Sequence, residues 1–129
     1  MSPRAATIPG LLAPQSEADL QSQVMAYLNL VAGLHARRQN SGKVKTIHGS
    51  WVQLAPLGTP DIVGHMPDGR ALYIELKKPG EKPHGPRDRE RWKAQEEFIE
   101  GAARRNCVAF RARSLEDVAR HITEALRHA

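Results

Sequence analysis

Two carboxylates stand inside apolar, strand-like runs, where a charge needs a reason. Asp61 opens the run Asp61-Ile62-Val63-Gly64-His65-Met66, directly after the turn Gly58-Thr59-Pro60, and Glu75 lies within Leu72-Tyr73-Ile74-Glu75-Leu76-Lys77. Between the runs, Pro67-Asp68-Gly69 has the composition of a three-residue hairpin loop, a type I turn closed by a left-handed glycine. That loop pairs Met66 with Arg70. Counting back along both strands then sets Asp61 opposite Glu75. Opposite residues share a sheet face, and so do residues two apart. Asp61, Glu75 and Lys77 should therefore project from one side, with Tyr73 further along, while Ile62, Leu72, Ile74 and Leu76 show on the other. Facing carboxylates repel unless something positive lies between them. A divalent cation meets that need, and hard oxygen ligands suit Mg²⁺ or Mn²⁺. Lys77, on the same side, is placed to hold and polarise a water beside the ion.

Taken singly, these residues have plainer explanations. An aspartate after proline caps turns, a glutamate on an edge strand is solvated, and Glu-x-Lys is common by chance. The joint spacing points to a site: Pro60-Asp61, thirteen residues, then Glu75-Leu76-Lys77, with a hairpin between. Two further residues fit. Glu17 sits at the edge of the apolar stripe of an early helix, where the plain reading is a first-turn carboxylate favouring the helix dipole. Gln95 lies on the inward stripe of a later helix, between Trp92 and Ile99 or Ala102. An amide there needs buried partners, either in the core or by reaching the carboxylates or a phosphate.

The elements that must position these groups are legible in outline. Residues 1–15 carry three prolines and no periodicity, which suggests a flexible or draped arm ahead of a single domain over 16–129. Ser16 and Asp19 have capping-box spacing, and Leu20, Val24, Tyr27, Leu28 and Val31 recur at helical intervals up to Gly33. Residues 35–40 suit a short strand, followed by the turn-like Asn40-Ser41-Gly42. The stretch 43–57 is weakly patterned, with a possible strand at Trp51, Val52 and Leu54. After the hairpin comes a proline- and glycine-rich loop over 78–86. A helix then spans about Arg87 to Arg105, with Trp92, Phe98, Ile99 and Ala102 inward. A short strand, 107–110, follows, and Ser114 and Asp117 repeat the capping spacing to open a last helix with Leu115, Val118, Ile122 and Leu126 inward. The tight turn makes 61–66 and 71–77 antiparallel. The helical crossover makes 107–110 parallel to 71–77. The expectation is a mixed α/β sheet flanked by helices.

Composition narrows the chemistry. The 129 residues are 40% hydrophobic and 26% charged, so a core can form and wholesale disorder is excluded. No apolar run nears the ~20 residues of a membrane span, and the single cysteine, Cys107, excludes an internal disulfide and a Cys-rich zinc site. A cytoplasmic setting without membrane contact is expected. Nineteen Lys and Arg against fourteen Asp and Glu give +5, which suits a polyanionic partner. The excess is clustered in Arg37, Arg38, Lys43 and Lys45, in seven basic residues over 77–93, and in Arg104, Arg105, Arg111 and Arg113. Any one cluster is explained as solvated surface; together they favour a phosphate-binding face. Only six aromatic residues argue against a base-stacking single-strand module.

Glu17 on an early helix, Gly58-Thr59-Pro60-Asp61, Glu75-Leu76-Lys77 and Gln95 together resemble the VRR-NUC domain of the PD-(D/E)XK nuclease superfamily, over about Ser16 to Leu126. The resemblance implies an α-β-β-β-α-β core with a C-terminal helix and metal-dependent hydrolysis of DNA phosphodiesters. It implies Glu17, Asp61 and Glu75 as acidic metal ligands for Mg²⁺ or Mn²⁺, the carbonyl of Leu76 as a further ligand, Lys77 as the catalytic lysine and Gln95 as the family's helix glutamine. It also implies a homodimer acting on branched DNA such as four-way junctions, as stand-alone phage and bacterial members do, with a helicase or replication protein as a possible partner. On this reading DNA phosphates meet Arg37, Arg38, Asn40, Lys43, Lys45, Lys78, Lys82, Arg87 and Arg89. The segment 78–91 matches no family motif. It is basic, rich in proline and nearly free of apolar residues, so it is expected to be mobile and to close on DNA.

Two rivals stand beside this reading, the first of them from another class. One is a non-catalytic DNA-binding subunit that kept a nuclease fold, against which stands the full set Glu17, Asp61, Glu75 and Lys77, since a mere binder gains nothing from carboxylates near phosphate. The other is a histidine-dependent nuclease, but His35, His48, His65, His84, His121 and His128 show no metal-ligand spacing.

Overall fold

The computed structural model describes residues 16–39, 43–53 and 56–128. The proposed arm over 1–15, Asn40 and Leu54 lie outside the described residues. Helix α1, Glu17–Ala26, starts as its sequence suggests: the Ser16 hydroxyl accepts the Asp19 N–H at 3.1 Å, and Glu17 and Asp19 place negative charge in the first turn. Its end differs from the helix expected up to Gly33. Tyr27–Val31 widen into a π-helical turn. There the Asn29 side-chain amide takes the place of a strand: its Oδ1 accepts Ala36 N–H at 2.9 Å and its Nδ2 donates to Ala36 O at 3.1 Å.

Strand β1, His35–Arg38, follows, then β2, Lys43–Lys45, and β3, Trp51–Gln53. β4, Ile62–His65, and β5, Ala71–Leu76, form the central hairpin. Its loop is the expected one: Met66 N–H donates to Arg70 O at 2.8 Å, Gly69 N–H to Met66 O at 2.9 Å, and Gly69 has φ 93°. Helix α2 spans Pro86–Arg104, β6 Val108–Ala112 and α3 Leu115–Arg127. Ser114 caps α3 by accepting Asp117 N–H at 3.0 Å, and the Asp117 carboxylate accepts Arg113 N–H at 3.0 Å.

Among the described residues, six strands form two sheets. One has four strands in the order β1-β4-β5-β6, antiparallel except for the parallel β5–β6 pair; the other is β2–β3 alone. With that pair set aside, the order of elements is α-β-β-β-α-β-α. Leu72, Ile74 and Leu76 face Leu20 and Val24 of α1, Leu28 of the π turn, and Leu115, Val118 and Ile122 of α3 in one apolar core. The opposite face meets α2, where Tyr73 packs edge-on against Phe98 with centroids 5.0 Å apart. Leu126, expected inward, is exposed on the last turn of α3. Among the described residues no helix is long and apolar enough to cross a membrane.

Candidate functional site

The β4–β5 register pairs Ile62 with Ile74 and His65 with Ala71. One step further along the same ladder, Asp61 stands against Glu75. Asp61 is held twice. Its Oδ2 accepts the Leu76 N–H at 3.2 Å, and its carbonyl accepts the Gln39 N–H at 2.6 Å. Glu75 belongs to β5, which is flanked on both sides, so it is not an edge-strand glutamate in water. It is 2% exposed, Lys77 3% and Gln95 7%. These three buried polar side chains come from the α2 face of β5 and from α2 itself.

Burial is the largest influence on Glu75. With a hydrogen bond to Asp61 and the Asp61 charge, it pushes the carboxyl up to about 9 against the pull of Lys77 and Arg91. Glu75 therefore holds its proton at neutral pH when no cation is present. Glu75 Oε1 is buried with no hydrogen-bond partner. A buried glutamate beside an aspartate, with an orphaned oxygen, is a donor set that a divalent cation fits, since it would replace the Glu75 proton and take up the free oxygen. Glu17 lies within reach of the same field. Its carboxyl is raised first by partial burial and then by Asp61 and Glu81, with Lys77 and Lys78 opposing. It does not close on the pair: among the described residues no three His, Cys, Asp or Glu side chains form a metal cage. The structure thus brings Asp61, Glu75 and Lys77 together and leaves Glu17 at the rim.

α2 forms the lid of this face. Trp92 is ringed by cations: Lys77 Nζ lies 4.4 Å from a Trp92 ring centroid, the Arg111 guanidinium 5.0 Å and that of Arg113 5.9 Å. Arg111 is the strand partner of Glu75 in the parallel ladder. Nε and Nη2 of Arg111, Nε1 of Trp92 and Oε1 of Gln95 are all buried without hydrogen-bond partners. Gln95 is therefore not a core glutamine with both ends satisfied. Trp92 and Arg111 were not singled out from the sequence as site residues. The available signal was Arg111-x-Arg113 directly after the strand, 107–110, expected to run parallel to Glu75-x-Lys77.

The turn before Asp61 is fitted to the same helix. Gly58 has φ 89°, and a Cβ there would lie 2.5 Å from the Ala94 carbonyl oxygen, so only glycine lets Gly58-Thr59-Pro60 sit on α2 beside Gln95.

The basic residues divide. Arg37 and Arg38 are exposed on β1, with Arg38 Nη2 donating to Ser22 Oγ at 2.9 Å. Lys45 is exposed on β2, Lys43 begins that strand, and Asn40 lies outside the described residues. Lys78 and Lys82 are exposed in the loop after β5. Arg87 and Arg89 are on α2, as the helix expected from about Arg87 requires, which shortens the segment expected to be mobile from 78–91 to 78–85; Pro86 is well suited to the first helical turn and starts the helix there. Two further expectations are corrected. The segment before α2 is tied down: Arg113 Nη1 donates to Lys78 O at 2.8 Å and Glu81 O at 3.2 Å, and Glu81 Oε1 accepts Lys78 N–H at 2.9 Å. The third basic cluster is split, since α2 carries Arg104 and Arg105 back to the start of β6, the far end of the sheet from Arg111 and Arg113.

No family model, curated protein or solved structure matches this chain.

Proposed function

We propose that the chain is a divalent-metal-dependent deoxyribonuclease of the VRR-NUC type, with a PD-(D/E)XK core, acting on branched or duplex DNA. The observation that carries this reading is the buried Asp61–Glu75 pair in one strand register with Lys77. A structural salt-bridge network would have satisfied Glu75 Oε1, which is orphaned. The element order α-β-β-β-α-β-α supports the same reading.

Asp61, Glu75 and the Leu76 carbonyl would hold Mg²⁺ or Mn²⁺, with Glu17 at the rim. The bound ion supplies charge neutralisation at the scissile phosphate and acidifies a water. Lys77, buried against Trp92, positions that water for in-line attack. The water oxygen forms the new P–O bond as the P–O3′ bond breaks, leaving 5′-phosphate and 3′-hydroxyl ends. Arg37, Arg38, Lys45, Lys78 and Lys82 bind flanking phosphates, which orients DNA without reading sequence. One site cuts one strand, so cutting both strands of a junction requires a two-fold dimer.

The test is incubation with supercoiled plasmid and with a synthetic four-way junction, in EDTA, Mg²⁺ or Mn²⁺. Cleavage that depends on metal and disappears in Glu75→Ala supports the reading. DNA binding without cleavage under every metal condition leaves the non-catalytic subunit in its place.

A further inference from the structure

The β2–β3 hairpin carries more apolar surface into water than the rest of the molecule would lead one to expect. Ile47 in its loop is 95% exposed and Trp51 66%, and Val44 and Val52 are exposed on the reverse face. It is a separate two-stranded sheet, and such a pair is marginal in water by itself. Yet it is well formed. Thr46 N–H donates to Ser50 O at 2.7 Å, Gly49 N–H to Thr46 O at 3.0 Å, and Ser50 N–H to Thr46 Oγ1 at 3.2 Å. A built projection with apolar residues on both faces is made to be covered.

Charge says by what. No acidic residue lies between Asp19 and Asp61, while Arg37, Arg38, Lys43 and Lys45 do. In the hairpin register Lys45 is directly opposite Trp51, so the cation and the indole share one face. That is an aromatic platform with a phosphate contact beside it, the arrangement that takes an unstacked base and its own backbone. A protein partner would not need an acid-free finger.

The root of the hairpin gives it a purpose. The chain leaves β1 and returns into β4, and the backbone bond from Gln39 N–H to the Asp61 carbonyl closes the base of the projection at the residue that carries the carboxylate. Trp51 is ten residues before Asp61, and the return leg passes through Gly58, docked on Ala94.

We propose that the hairpin Lys43–Gln53 is a base-contacting finger. Trp51 stacks on a base unpaired or splayed at a branch, Lys45 takes that nucleotide's phosphate, and the finger thereby selects DNA with unstacked bases over continuous duplex. This inference rests on the nuclease reading for its purpose, but not for its test.

Binding of a fluorescent four-way junction, a single strand and a continuous duplex is measured in EDTA for the wild type, Trp51→Ala and Trp51→Phe. Trp51→Ala should lose about tenfold in affinity for the junction and the single strand, the size of one base–aromatic stack. It should change duplex binding less than about twofold, and Trp51→Phe should restore most of the loss. Equal losses on all three DNAs, or none, would overturn the finger. So would a Trp51→Ala protein whose dimer falls apart in sedimentation without a base-dependent loss, because the hairpin would then be a self-association surface. Because binding is measured in EDTA and cleavage separately in Mg²⁺ or Mn²⁺, absent cleavage in either metal with the Trp51 binding pattern intact would sink the hydrolysis reading and keep the finger. Intact cleavage without that pattern would do the reverse.

Discussion

Asp61 Oδ2 accepts the backbone N–H of Leu76 at 3.2 Å, across the hairpin from its own strand. The bond pins the aspartate to the residue between Glu75 and Lys77, so all three functional groups are positioned by one strand pair. A carboxylate held that way stays beside Glu75, and its charge adds to burial in keeping Glu75 protonated when no cation is present.

Replacing Glu75 should separate structure from chemistry. Glu75→Ala is expected to abolish metal-dependent cleavage while leaving DNA affinity within about twofold, because the basic residues that meet phosphates lie elsewhere. Glu75→Gln keeps the volume and removes the charge. It should lose cleavage equally and melt no lower than the wild type without metal. Undiminished turnover of either variant at saturating Mg²⁺ would remove Glu75 from the metal site.

The same carboxyl gives the metal-free protein a pH signature. The folded state holds a proton up to about 9, and the unfolded chain releases it near the ordinary glutamate value of 4.5. Between those values the native state binds more protons than the unfolded state, so stability falls as pH rises through the window and levels off above it. Denaturant titrations from pH 5 to 9 should show this decline in the wild type and a shallower one in Glu75→Gln. Mg²⁺ should displace the Glu75 proton, which calorimetry in buffers of different ionisation enthalpy would detect. Parallel pH profiles for the two proteins would contradict a proton held on Glu75.

Gly58 should tolerate nothing larger. The backbone of Ala94 is the obstacle rather than a flexible side chain. Gly58→Ala therefore adds a clash to the left-handed strain, for a loss of about 2 kcal/mol or more. Because the turn leads directly into Asp61, cleavage should fall further than unfolding alone explains, when measured well below the melting temperature. A melting point unchanged from the wild type would show that α2 moves aside.

The central hairpin was legible because two independent constraints agree on it: alternating apolar residues and a three-residue loop fix the register, and a one-residue slip would have buried Asp61 in the core. The caps at Ser16 and Ser114 were legible for a similarly local reason. What escaped was tertiary. Lys43-Val44-Lys45 and Trp51-Val52-Gln53 are too short and mixed to announce a hairpin, and the π turn at Tyr27–Val31 keeps apolar spacing close to that of an α-helix. The Trp92 cluster forms only when α2 lies over the Arg111 and Arg113 side of β6. The loop after Lys77 looked unanchored because its anchor, Arg113, is far away in sequence.

That anchor can be removed. Arg113→Ala deletes two bonds to the carbonyls of Lys78 and Glu81. Hydrogen exchange over 78–85 should quicken severalfold while β5 and β6 exchange as before. Exchange unchanged in that loop would mean that the Lys78–Glu81 turn holds without the strap.

The final prediction concerns Lys82, Arg87 and Arg89, all exposed near the start of α2. In a flexible loop the three could gather on one stretch of backbone. On the observed helix they cannot: residues two apart on a helix point about 200° from each other, so Arg87 and Arg89 face nearly opposite ways. A duplex lying along one side meets Lys82 and one arginine. Each phosphate contact contributes about 0.9 to the slope of log affinity against log salt. The triple alanine variant should therefore flatten that slope by roughly 1.8, uniformly across sequences. Arg87→Ala and Arg89→Ala tested singly should differ, one flattening it and the other leaving it alone. A triple variant with an unchanged slope would make these residues ordinary solvated surface. Equal losses from the two arginines would mean that DNA wraps the helix start instead of passing along it.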